Sequence, residues 1–143
     1  MRRIVALAAV GVIAVGALFA QASRTTWDGV YTQEQAKRGA AFYSQMCAGC
    51  HGTDLTGGES APPLSGVEFF SNWGGLTVGD LFERIRVSMP ADRPGRLSRE
   101  QNGDIVAYLL QVNRFPAGST ELPRQTELLK QIQLVMFKPE GRE

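Results

Sequence analysis

The chain has 143 residues, a length that fits one domain and leaves little room for a second. Hydrophobic residues make up 43% and charged residues 20% of it, which is typical of a folded globular protein and argues against disorder. The 15 basic and 14 acidic residues give a net charge of +1, so the composition offers no general attraction for nucleic acid. Two cysteines and one histidine are too few for a four-ligand Cys/His zinc site.

The amino terminus has the layout of an export signal. A short basic head is followed by an uncharged stretch over residues 4–20, and then by an A-x-A cleavage pattern that ends at Ala22. We expect residues 1–22 to be a signal peptide that is cleaved near Ala22, and residues 23–143 to form one periplasmic domain. The alternative is that the uncharged stretch stays in the membrane as a short anchor.

The rest of the chain predicts helices joined by loops rich in glycine and proline. A first helix begins with a capping box, in which Thr32 and Gln35 satisfy free backbone N–H groups. Similar boxes at residues 77–80 and 98–101 open a second and a third helix. Residues 52–76 show no sustained period and are predicted to be a long loop, a feature that is usually functional in a compact domain.

The end of the chain predicts a fourth helix. Apolar side chains recur at helical spacing over residues 124–137, so we expect an amphipathic helix that packs back on the body. No stretch alternates polar and apolar residues for long enough to predict a strand, and the fold class is therefore all-α. Gly39 lies inside the first predicted helix, where glycine is costly, so another segment should approach it closely.

The strongest chemical signal is Cys47-x-x-Cys50-His51, the pattern of covalent haem attachment. Two thiols three residues apart on a helical turn reach the two vinyl groups of one porphyrin, and the adjacent His51 is placed under the iron as proximal ligand. A thioredoxin-like redox pair is one alternative, but it needs a βαβ context that the sequence lacks. A plain disulfide beside an incidental histidine is the other.

The second axial ligand cannot be another histidine, because His51 is the only one in the chain. Met89 and Met136 are the methionine candidates, since Met46 lies beside Cys47 on the attachment side of the ring. We favour Met89, which ends a predicted helix before a turn-rich run, whereas Met136 lies in an amphipathic stripe typical of core filling. A lysine, another group or an open site are the remaining alternatives.

These features resemble a class I c-type cytochrome of the small bacterial electron-carrier kind over residues 32–112. The resemblance implies three core helices around one covalently attached haem c. The stretch Pro62-x-Leu64-x-Gly66 is similar to a Pro-x-Leu-x-Gly stretch of that family. This similarity implies that the carbonyl of Pro62 accepts the Nδ1 proton of His51 and that Leu64 packs on the porphyrin face.

The resemblance also implies a helix crossing. In the family, a glycine and an aromatic residue of the first helix cross an aromatic residue of the last core helix. Gly39, Phe42 or Tyr43, and Tyr108 match those positions. The chain departs from the family pattern in an extension over residues 113–143, which either offers an interface to a partner or covers apolar surface.

Two further groups of residues surround the predicted site. Trp73 and Asn72 lie in the loop that should border the haem, where an indole or amide N–H can hydrogen-bond a propionate; ordinary packing of Trp73 is the alternative. Arginines make the region around Met89 basic, either as solvated surface charges or to steer an acidic redox partner. They are Arg84, Arg86, Arg93, Arg96 and Arg99.

The sequence thus predicts an exported monohaem cytochrome that carries single electrons between redox proteins, with a dehydrogenase as donor and an oxidase as acceptor. These partners are expected in the periplasm or at its membrane. We expect no enzymatic activity, no small-molecule substrate and no nucleic acid. The alternatives are a cytochrome subunit of a larger dehydrogenase or oxidase complex, and a haem enzyme or sensor with an open distal site. No second histidine or distal acid–base pair supports the enzyme.

Overall fold

A computed structural model describes residues 24–141, and the signal peptide predicted over residues 1–22 lies outside them. Within the described part, six helices and two short strands follow one another. They are β1 (Arg24–Thr25), α1 (Gln33–Met46), α2 (Ala48–His51), α3 (Gly66–Trp73), α4 (Val78–Ser88), α5 (Arg99–Val112), α6 (Thr126–Leu129) and β2 (Ile132–Gln133). The predicted all-α class is confirmed, because each strand has only two residues. Across residues 24–141, no helix is both long and apolar enough to span a bilayer.

Helices α1 and α5 form the centre of the fold and cross at Gly39. A Cβ atom on Gly39 would lie 1.8 Å from the carbonyl oxygen of Asp104 and 2.9 Å from Cβ of Tyr108. Only glycine lets the two backbones come this close, which confirms the predicted close approach. The rings of Tyr43 and Tyr108 lie 5.4 Å apart beside the crossing, so Tyr43 rather than Phe42 is the aromatic partner.

The predicted helix starts are present, with a difference at the first one. Reciprocal capping boxes at residues 77–80 and 98–101 begin α4 and α5 as expected. At α1, the hydroxyl of Thr32 accepts a hydrogen bond from the amide of Gln35. The Gln35 side chain instead donates to the carbonyl of Leu122 at 3.4 Å and accepts from its amide at 2.8 Å. The glutamine expected to complete the box therefore tethers the C-terminal extension.

The fourth helix predicted over residues 124–137 is wrong in extent. Only Thr126–Leu129 is helical, and the chain then enters β2, which pairs in parallel with β1. Ile132 and Leu134 are buried while their neighbours are more exposed, which is the period of two expected of a strand. The C-terminal extension is therefore largely non-helical.

The extension packs against the segment that precedes α1. The hydroxyl of Tyr31 donates to the carbonyl of Phe115 at 2.7 Å, and the indole N–H of Trp27 donates to the carbonyl of Val135 at 3.0 Å. Tyr31 and Phe115 are both buried by this arrangement. The extension thus covers apolar surface and forms part of the core.

The region predicted as a long loop contains α3. This helix is eight residues long, and its Phe69 is fully buried. Phe70 meets the ring of Phe115 edge-on at 5.7 Å, so α3 also packs against the extension. Two helical turns between glycines are too short to show a period in the sequence.

Candidate haem-binding site

The two cysteines and the histidine share one turn at the junction of α1 and α2. The amides of Cys50 and His51 donate to the carbonyl of Cys47 at 3.1 and 2.9 Å. Both thiols are free, that of Cys50 on an exposed residue and that of Cys47 on a half-buried one. Burial, together with the neighbouring Cys50, raises the pKa of the Cys47 thiol to about 11, so this thiol is protonated at neutral pH.

His51 is buried, with 8% of its surface exposed, and is held by the loop that follows it. Its Nδ1 lies 2.8 Å from the carbonyl oxygen of Pro62, and its own carbonyl accepts from the amide of Gly57 at 2.9 Å. Since a carbonyl oxygen only accepts, the neutral ring carries its proton on Nδ1. The lone pair is then on Nε2, which has no hydrogen-bond partner among the described residues.

The loop between α2 and α3 is tightly packed on itself. Gly57 has a φ of +73°, and a Cβ atom there would lie 2.6 Å from the backbone nitrogen of Pro63. The amide of Leu64 donates to the carbonyl of Leu55 at 2.8 Å. These contacts fix the backbone on both sides of Pro62, and so the position of the carbonyl that faces the histidine ring.

Asn113, the C-cap residue of α5, anchors this loop from the opposite side. Its side-chain amide donates to the carbonyl of Leu64 at 3.0 Å and to that of Leu109 at 2.9 Å. Its side-chain oxygen accepts from the amide of Gly66 at 3.0 Å. The sequence indicates no role for Asn113 beyond the start of the extension. An asparagine directly after the last apolar residue of a helix was the available signal, because asparagine is common where helices end.

Tyr43 holds the other side of the motif. Its hydroxyl donates to the carbonyl of Gly52 at 2.7 Å, directly after His51. Burial raises the pKa of the Tyr43 phenol, so it remains a protonated donor across the physiological range. The sequence predicted only a ring contact for this residue, and the hydrogen bond adds a link from α1 to the end of α2.

The remaining predicted site residues are half-buried and pack against the common core. Leu64 belongs to the loop anchored by Asn113, and Met89 is the C-cap residue of α4. Trp73 is the last residue of α3, so its predicted position in a loop is wrong, and Asn72 beside it is exposed. Hydrogen bonds thus join the C-x-x-C-H motif to the loop that carries Pro62. Met89 and Trp73 instead pack against the same apolar core as Cys47 and Leu64.

The arginines around the end of α4 lie at the surface, and some of them have partners. Arg86 pairs with Glu83 at 2.7 Å, and Arg99 donates to the carbonyl of Arg124 at 3.0 Å. Arg84, Arg93, Arg96 and Arg99 are exposed and Arg86 is half-buried, and Arg93 also pairs with Asp92 at 3.2 Å. The charges of Arg86 and Arg93 are paired with carboxylates, so the basic character of this region comes mainly from Arg84, Arg96 and Arg99.

The residues present fit a covalently attached haem. Two free thiols lie on one turn, and the next residue is a histidine. One nitrogen of its ring is held by a carbonyl, and the other has no hydrogen-bond partner within residues 24–141. Half-buried apolar side chains, Leu64 and Met89 among them, provide the surface that a porphyrin face needs.

A comparison with known proteins finds similarity over the region that contains the C-x-x-C-H motif and the loop after it. The family described as "Cytochrome C oxidase, cbb3-type, subunit III" matches residues 34–109, about half of the chain, and this span ends before Asn113. A curated relative, the "Cbb3-type cytochrome c oxidase subunit CcoP" of Azospirillum brasilense, is 28% identical over 92 residues, which cover 53% of this chain and 30% of the relative. The chain thus spans less than a third of the length of that relative.

A solved structure also resembles the fold. The "Crystal Structure of the Sulfane Dehydrogenase SoxCD from Paracoccus pantotrophus" aligns with a TM-score of 0.53 at 25% sequence identity. The alignment covers 81% of this chain and 66% of the chain in that structure.

Proposed function

Because this chain belongs to the c-type cytochrome family of cbb3-type cytochrome c oxidase subunit III, we propose that it is a monohaem cytochrome that carries single electrons between redox proteins. The observation that carries the proposal is the environment of His51. Its Nδ1 is held 2.8 Å from the carbonyl of Pro62, directly after two free thiols. When bound, haem supplies an iron that changes by one electron between its ferric and ferrous states.

Each of the motif residues has a defined task in this proposal. Cys47 and Cys50 would hold the porphyrin through two thioether bonds, and Nε2 of His51 would be the proximal ligand. The carbonyl of Pro62 fixes the plane of the imidazole and, by accepting the Nδ1 proton, strengthens Nε2 as a donor. Leu64 would cover the porphyrin face on this side and exclude water.

The opposite side of the haem involves two residues, Met89 and Trp73, that pack against the same apolar core as Leu64. We propose Met89 as the second axial ligand, because it lies at the end of α4 and is half-buried. A soft thioether stabilises the reduced metal and occupies the position that a small substrate would need, which suits a carrier. The indole N–H of Trp73 is the proposed donor to a propionate.

The relatives support redox proteins as partners. One is named as an oxidase subunit and the other as a dehydrogenase. We propose that this chain exchanges electrons with proteins of these classes, as a free carrier or as a subunit of such a complex. We also propose that residues 1–22 are removed on export to the periplasm; intact mass of the exported protein tests this, and a retained segment would replace cleavage with an anchor.

Spectroscopy of the protein, produced together with haem-maturation machinery, tests the function. We expect one haem per chain, a methionine-to-iron charge-transfer band in the oxidised form, and a redox titration that fits a single electron. A high-spin spectrum with strong carbon monoxide binding on reduction would contradict the carrier and support an enzyme or sensor with an open distal site.

A further inference from the structure

We propose that Asn113 is a positioning residue for the haem site, which tunes the iron by holding the loop that carries Pro62. This inference rests on the proposed haem function. Asn113 lies outside the region that matches the family, and it does not belong to the C-x-x-C-H motif.

The three hydrogen bonds of the Asn113 side chain all go to backbone groups. Two of them reach the loop, at the carbonyl of Leu64 and the amide of Gly66, and the third returns to Leu109 within α5. One side-chain amide thus both donates to and accepts from the same loop. These two bonds fix the position of the loop relative to α5. Asn113 is only 9% exposed, so water has little access to replace these bonds.

The effect of Asn113 reaches the histidine through a short piece of backbone. Leu64 is held on both sides, its amide by the carbonyl of Leu55 and its carbonyl by Asn113. Pro62 lies two residues earlier, and its carbonyl is 2.8 Å from Nδ1 of His51. Because a hydrogen bond weakens steeply as its geometry degrades, release of Leu64 would weaken the bond at Nδ1.

A weaker bond at Nδ1 has two measurable consequences. The Nδ1 proton of His51 exchanges with solvent more readily, and Nε2 becomes a poorer donor to the iron. A poorer donor stabilises the ferric state less, so the reduction potential rises. Loss of stability alone can speed proton exchange through transient unfolding, but it does not predict the rise in reduction potential.

The test compares Asn113→Ala with the parent protein in the haem-loaded form. We expect about tenfold faster exchange of the His51 ring proton by NMR, and a higher reduction potential by voltammetry. Asn113→Asp has nearly the same size and keeps an acceptor for Gly66, but loses the donor to Leu64. It should change both quantities in the same direction, which keeps the test informative if the alanine variant does not fold.

Tyr31→Phe is the matched control. It removes a buried hydrogen bond to the carbonyl of Phe115, two residues from Asn113, and leaves the loop untouched. We expect lower stability with unchanged ring-proton exchange and potential. If the Asn113 variants behave like this control, or if the potential falls while exchange is unchanged, the positioning role is wrong. Failure of the proposed function is distinguishable, since the parent protein itself would then hold no haem or would show the high-spin spectrum and strong carbon monoxide binding of an open distal site.

Discussion

Gly39 and Asp104 bring α1 and α5 into backbone contact. A Cβ atom on Gly39 would lie 1.8 Å from the carbonyl oxygen of Asp104, far closer than two non-bonded atoms can approach. The neighbouring Arg38 forms two hydrogen bonds of 2.9 Å to the carboxylate of the same aspartate, which is 2% exposed. The crossing is thus fixed through both the backbone and the side chain of one residue, and the motif at the end of α1 is positioned by it.

Gly39→Ala should therefore destabilise the fold strongly. The methyl group must push α1 away from Asp104, and we expect the free energy of unfolding to fall by about 3 kcal/mol. Gly103→Ala on α5 is the control, because its Cβ would lie 3.8 Å from the nearest atom, in the side chain of Gln35. It should be neutral or stabilise by up to about 1 kcal/mol. Equal urea midpoints for the two variants would contradict the crossing geometry.

Gln35→Leu should release the C-terminal extension. The substitution leaves the buried amide and carbonyl of Leu122 without their partner, at a cost of about 1–3 kcal/mol. We expect faster proteolysis within residues 113–137, read by mass spectrometry. Gln45→Leu changes an exposed residue of the same helix and should leave the cleavage rate as it is. A rate for the Gln35 variant equal to that of the control would show that the tether contributes nothing.

Glu83→Gln should lower stability in a manner that depends on pH. Hydrogen bonds from Arg86 and, second, from Thr126 lower the pKa of Glu83 from its ordinary 4.5 to about 2. A carboxyl whose folded pKa is depressed stabilises the protein above its unfolded pKa and loses that contribution as the pH falls through the folded pKa. The melting temperature of the variant should therefore lie below that of the parent at pH 7, and the gap should close toward pH 2. A gap that stays constant with pH would refute the ion pair as its cause.

The local features of this chain were predictable from the sequence. The turn that holds Cys47, Cys50 and His51 and the capping boxes at residues 77–80 and 98–101 depend on residues within four positions of one another. The amide partners of Gln35 and Asn113 were not predictable, because they lie 87 and 49 residues away. A local sequence pattern shows that a side-chain amide is present, but not which backbone groups it forms hydrogen bonds with.

The C-terminal extension shows why the spacing of apolar residues led to the wrong prediction of a long helix. Leu129 and Ile132 are three residues apart, as on a helix, while Ile132 and Leu134 are two apart, as on a strand. A short segment supports both periods. The strand was selected by its partner β1 (Arg24–Thr25), which is itself too short to recognise in the sequence.

The two cysteines should contribute separate covalent bonds to the haem. Cys47→Ser and Cys50→Ser should each retain haem through the remaining thioether, and only the double variant should lose it to acid–acetone. Intact mass before and after extraction measures the bound group on each polypeptide. Haem that leaves either single variant completely would show that one cysteine alone carries the attachment.

Met89→Ala should open the second axial position. Loss of the thioether removes a ligand that favours the ferrous state, so the reduction potential should fall and the charge-transfer band should disappear. The reduced variant should bind carbon monoxide tightly, whereas the parent should bind it weakly. Carbon monoxide titration followed by absorption spectroscopy measures this difference.

Met136→Ala is the control that separates the two methionine candidates. The sequence placed Met136 in a buried stripe, but the structure leaves it 38% exposed beyond β2, so its removal should cost well under the 2–5 kcal/mol of a buried methionine. We expect this variant to keep the charge-transfer band and the potential of the parent protein. If Met136→Ala lost the band while Met89→Ala kept it, the axial assignment would be reversed, and the C-terminal extension would become part of the haem site.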